Sequence, residues 1–123
     1  MELKHSAIQS AVYELVTTTE VDLQLGDDFM PMRFEIFRNT QKKGRFRCRM
    51  WEGELHRLRP TFPQKNGKPL HISDAFIFVE WLGGPGMGRY EDFTAPSAVK
   101  ALQIVIEDFK KFLKHTTGKR ARL

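Results

Sequence analysis

Only one cysteine, Cys48, is present, so no internal disulfide staples the chain. A lone thiol fits a reducing, cytoplasmic setting better than a secreted scaffold. Long apolar runs are missing too. Stretches such as Phe76–Val79 and Ile104–Ile106 fall far short of the roughly 20 residues that span a bilayer. Glu2, His5, Gln9 and Glu14 interrupt the N-terminal stretch where a signal peptide would be uniformly apolar. The expectation is a cytoplasmic protein with no membrane partner.

Chemistry-bearing motifs are equally scarce. The four histidines, His5, His56, His71 and His115, are not spaced as a ligand set, so no metal is expected. The run Leu82-Gly83-Gly84-Pro85-Gly86-Met87-Gly88-Arg89 lacks the Lys-Ser/Thr of a phosphate loop, puts Arg89 where a dinucleotide fingerprint needs glycine, and loses a backbone donor at Pro85. It reads as a connection whose Gly84 and Gly86 suit contact with a partner, and no cofactor is expected. Among the paired carboxylates, only Glu52 and Glu54 would share a strand face, and surface solvation accounts for such pairs more often than acid–base chemistry. Cys48 alternates with Phe46 and Met50 and should be a buried small hydrophobe, not a nucleophile.

What is present describes a globular chain. Its 123 residues are 41% hydrophobic and 28% charged, with 10 Phe to build a core, which places it in the range of one ordinary domain. Residues 1–123 are read as a single domain, with 119–123 as a frayed basic tail. The net charge of +5 makes an anionic partner electrostatically reasonable without requiring one.

Periodicity marks the elements. Val21, Leu23 and Leu25 alternate with Asp22 and Gln24 in a first strand running from Tyr13 to Leu25, while a helix over Ser6–Leu15 competes at its start because Ile8, Val12 and Leu15 would share a helical face. After a turn at Gly26, Asp27 and Asp28, a second strand carries Met32, Phe34 and Ile36 on one face. The third is the best marked: Phe46, Cys48 and Met50 lie on one side, and Arg45, Arg47, Arg49 and Trp51 on the other. At Gly53 the alternation stumbles, as a bulge or bend would make it. Asn66-Gly67 marks a tight turn. Residues 75–82 are apolar on both faces except Glu80, as in a central strand covered on both sides. A short strand over Arg89–Phe93 follows. Thr94 as cap, Pro96 in the first turn, and Val99, Leu102, Val105, Ile106, Phe109 and Leu113 at helical spacing then predict a long amphipathic helix stopped by Gly118. The fold class is α+β: an antiparallel meander of four to six strands packed by one C-terminal helix.

Two surfaces stand out. Arg45, Arg47 and Arg49 project together with Trp51, and Arg57 and Arg59 extend the charge, which is the chemistry of a nucleic-acid platform in which guanidinium groups hold phosphates and a ring stacks a base. Cross-strand pairing with Glu35 and Glu80 explains the arginines better, as solvation of an open sheet face, because no RNP-type, KH or helix-turn-helix signature accompanies the patch. The second surface is apolar: with Phe34, Phe46, Met50 and Phe78 towards the helix, the residues Trp51, Phe37, Ile77, Val79 and Trp81 face away, and one helix cannot cover both sides. A homodimer through the sheet would cover them. The leading functional reading is therefore a non-enzymatic interaction protein recognising a macromolecular partner, a toxin-neutralising immunity protein being one version. The alternatives are a nucleic-acid-binding module using the basic sheet face, and a small enzyme with a site between sheet and helix.

Overall fold

The computed structural model describes residues 12–58, 73–81 and 90–123. Among these residues six strands form one sheet: β1 (Tyr13–Leu25), β2 (Asp28–Asn39), β3 (Arg45–Leu58), β4 (Ser73–Glu80), β5 (Phe93–Thr94) and β6 (Ala121–Arg122). The order is β4-β3-β2-β1-β6, with β5 beside the start of β3, and every pairing is antiparallel. Among the described residues one helix, α1 (Ala98–Thr117), backs the sheet. This is the α+β meander with a single C-terminal helix that the periodicity predicted. Asn66-Gly67, Arg59, Gly84 and Gly86 lie outside the described residues.

Turn chemistry sets the register. Leu25 pairs with Asp28 across a two-residue loop in which Gly26 takes φ 66°, a left-handed conformation that a side chain would oppose. Between β2 and β3, the buried Asn39 accepts backbone N–H bonds from Gln41 (2.8 Å) and Lys42 (3.0 Å) through Oδ1. Its side chain thereby stands in for a backbone turn. Facing pairs then follow in sequence, with Phe34 opposite Met50 and Ile36 opposite Cys48. Leu23, Met32, Phe34 and Ile36 are fully buried on this inner face.

The helix answers with one stripe: Ala101, Val105, Phe109 and Leu113 recur every four residues and are buried, with Ile106 beside them. Phe34 meets Phe109 edge-on at 6.1 Å, and Trp81 meets Phe109 at 5.1 Å and Phe112 at 5.8 Å. Each large side chain buried here stabilises by about 1.5–3 kcal/mol. The space between sheet and helix in which an enzymatic site was considered is occupied by these apolar side chains.

Several expectations are corrected. The helix cap is Ser97, whose hydroxyl accepts from the Lys100 N–H at 3.2 Å, and not Thr94, which lies in β5; Pro96 precedes the cap. Gly118 does end the helix, at φ 74°. Residues 119–123 are not a frayed tail: Ala121 and Arg122 pair with Leu25 and Gln24, and Ala121 is buried. Two residues carry no period of their own, so β6 exists because β1 offers it an edge.

Gly53 is no bulge, for β3 pairs without a register shift through it. The glycine is there because the Phe76 ring lies across it; a Cβ would sit 2.3 Å from Phe76 Cζ. Nor is β4 a central strand, since among the described residues it ends the sheet. Its faces are also reversed from expectation. Phe78 pairs with Gly53 and lies on the outer face with Trp51, whereas Ile77, Val79 and Trp81 lie on the helix side. Alternation within a strand cannot say which parity points inwards; that is set by pairing with β3.

Candidate interaction surfaces

The outer sheet face brings Arg45, Arg47, Arg49 and Arg57 together and gives each of these four a carboxylate. Arg45 forms a two-pronged bond to Asp92, through Nε at 2.9 Å and Nη2 at 2.5 Å. This holds the Asp92 carboxyl below its usual range and raises Arg45, the hydrogen bond being the chief cause in each case. Arg47 donates to the Glu91 carbonyl at 3.3 Å and its guanidinium lies 4.2 Å from the Tyr13 ring. Arg49 lies 3.9 Å from Glu80, the partner expected for that carboxylate, and Arg57 lies 3.6 Å from Asp74. Trp51 donates through Nε1 to Glu35 at 2.5 Å. Arg33, unremarked in the sequence, binds Glu20 at 2.6 Å and stacks on Phe78 at 4.0 Å. The face is a lattice of ion pairs and stacked rings, with few positive charges left uncommitted.

The free side of β4 has a different character. Phe76, Ile77 and Val79 are 54%, 43% and 40% exposed, and Leu55 on the neighbouring strand is 70% exposed. Trp81 N–H donates to the Met50 carbonyl at 2.9 Å. In an antiparallel ladder this directs the backbone groups of odd-numbered residues to β3 and those of Asp74, Phe76, Phe78 and Glu80 to the open edge. Asp74 and Glu80, near the two ends of the strand, are its only charged residues.

At the opposite side, folding assembles a surface that the strand-by-strand reading missed. The end of α1, the β1–β2 turn and β6 enclose a trough of about 930 Å³ lined by Lys110, Lys111, Lys114, Lys119, Arg120 and Arg122. Glu107, also in the lining, bonds Lys110 at 3.4 Å. Charge asymmetry would have pointed to it, since residues 109–123 contain six Lys or Arg and no Asp or Glu.

Cys48 is buried as expected, and burial pushes its thiol up to about 12. No group of three or more His, Cys, Asp or Glu among the described residues could hold a metal ion, and no described helix is long and apolar enough to cross a membrane.

Fold and surface together define an α+β protein whose sheet is covered on one face by a helix and closed on the other by ion pairs. The chain belongs to the family whose model is described as "Uncharacterised protein YehK", which matches residues 13–122. No curated protein and no solved structure matches it.

Proposed function

We propose that this is a non-enzymatic interaction protein whose partner surface is the open edge of β4, and that the partner is a second copy of the chain. The observation that carries the reading is an eight-residue edge strand with exposed apolar side chains on both faces and no charge between Asp74 and Glu80. Such an edge is a template for strand pairing unless something covers it.

Antiparallel pairing about a two-fold axis at Ile77 is self-complementary. Phe76 would stand opposite the partner's Phe78, and Ala75 opposite the partner's Val79. The backbone groups of Asp74, Phe76, Phe78 and Glu80 would all find mates. Aromatic and branched pairs of this kind contribute roughly 0.2–1 kcal/mol each. Asp74 would meet the partner's Glu80, but each carboxylate already lies near an arginine of its own β3.

The basic sheet face is a weaker basis for function than it was in the sequence, because Arg45, Arg47, Arg49 and Arg57 are matched by Asp92, Glu91, Glu80 and Asp74. Light scattering coupled to size exclusion tests the proposal. The wild-type chain should elute at twice its 14.3 kDa mass. Ile77→Asp, which sets like charges opposite each other at the axis, should be a monomer with an unchanged circular dichroism spectrum. A wild-type chain that stays monomeric at high concentration overturns the reading.

A further inference from the structure

Positive charge is distributed unevenly along this chain. Of its 20 Lys and Arg, six fall in residues 110–122, which contain no Asp or Glu; the other fourteen meet fifteen carboxylates. The whole net charge of +5 therefore originates at the C-terminal end. Folding does not dilute it. β6 doubles back beside β1, and the Lys119 side chain approaches Gly26, whose missing Cβ would stand 3.4 Å from Lys119 Cδ and Nζ.

The helix dipole accounts for Lys114 and His115 in the last turn. It does not account for Lys119, Arg120 and Arg122, which lie beyond the helix end at Gly118. Nor are these charges matched as the sheet arginines are. Among the described residues, Lys111, Lys114, Lys119, Arg120 and Arg122 make no ion pair, and Glu107 relieves only Lys110. The hydroxyls of Thr116 and Thr117 donate to the carbonyls of Phe112 and Leu113 at 2.9 and 2.6 Å, which occupies acceptors at the negative helix end. Gathering like charges round one depression opposes folding by self-repulsion, and an anion seated there removes the opposition.

We infer that the trough binds the phosphate backbone of a double-helical nucleic acid. Its concavity suits a ridge of phosphates and not a flat bilayer. The cations other than Lys110 are exposed, unlike the buried converging groups that hold a small phosphorylated metabolite. No aromatic side chain lines the trough, so it offers no stacking platform for single-stranded bases. Six cations and no base-reading surface give sequence-independent affinity carried by counterion release, with a duplex presenting one charge per roughly 1.7 Å. The trough sits beside β6 and the proposed self-pairing edge is β4, at the other end of the sheet order, so a dimer would carry two troughs facing away from each other.

Fluorescence anisotropy of the 123-residue chain with a labelled duplex of about 20 base pairs, titrated at several salt concentrations, tests this. Binding should be independent of base sequence. The Lys111→Ala/Lys114→Ala/Lys119→Ala variant should bind at least about tenfold more weakly and lose roughly one unit of salt slope per removed contact. An Arg45→Ala/Arg47→Ala/Arg49→Ala variant should bind as the wild type does. The monomeric Ile77→Asp variant should retain its affinity per chain, which separates this inference from self-pairing through β4. Absence of duplex binding at low salt, loss of binding in the sheet variant alone, or preference for vesicles containing phosphatidylserine or for inorganic phosphate overturns it.

Discussion

The two faces of the sheet are built from the same strands and held by different forces. On the inner face, Met32, Phe34, Ile36, Cys48 and Met50 are buried against Val105, Phe109 and Leu113. On the outer face, Arg33, Arg45, Arg47 and Arg49 are tied to Glu20, Asp92, Glu91 and Glu80, and three of them, Arg33, Arg47 and Arg49, lie over the rings of Phe78, Tyr13 and Phe37. Burial is non-directional and scales with area, so the inner face supplies most of the stability. Partly exposed ion pairs contribute about 0–1 kcal/mol each and mainly specify register. The contrast explains why a row of arginines on a strand is poor evidence for a ligand: a sheet with one open face must solvate it.

The sharpest test of this contrast is Phe34→Ala, which should cost about 3–5 kcal/mol in urea unfolding, while Phe37→Ala on the outer face of the same strand should cost far less. Cys48 offers a test by pH. Its thiol is raised in the folded state from 9.0 to about 12, so its contribution is complete below pH 9 and is lost as pH rises from there towards 12, because the unfolded chain ionises first. At pH 10 the loss should be on the order of 1 kcal/mol. Cys48→Ala should lack that part of the alkaline decline in unfolding titrations.

Gly53→Ala should cost about 1–2 kcal/mol by pushing the Phe76 ring off the strand. Combining it with Phe76→Ala should remove most of that penalty, and a double-mutant cycle by thermal denaturation would read the coupling. Removing Arg33 with Arg33→Ala should cost about 1 kcal/mol or less, with the difference shrinking in high salt. The smallest effect belongs to Asp92, whose carboxyl is depressed by Arg45. The pair's contribution is present above the unfolded carboxylate range and fades as acid protonates Asp92, so Asp92→Asn should flatten only the acid limb of the stability curve.

The inner face was the readable half. Phe46, Cys48 and Met50 announce a core face by alternation alone, and Val105, Phe109 and Leu113 do so by helical spacing, because hydrophobic periodicity is a property of the chain itself. The β4 faces were misread for a definite reason. With apolar residues at both parities, Phe78 and Ile77 are equal candidates for the core, and only pairing of Phe78 with Gly53 separates them. The arginine row was legible and its meaning was not, since Asp92 and Glu91 reach Arg45 and Arg47 from more than 40 residues away. In the trough the situation was the converse. Its six cations were visible as a charge run, but their convergence depends on two residues of β6 finding the edge of β1.

Local chemistry by itself determined that this chain forms long antiparallel strands and one capped amphipathic helix, because alternation, glycine turns and helical spacing act over a few residues. Tertiary structure alone decided which carboxylate neutralises which arginine, which face of β4 is inner, and where, among the described residues, uncompensated charge and an unpaired strand edge remain. Those are relations between segments far apart in sequence, and their energies exist only once pairing has brought the segments together.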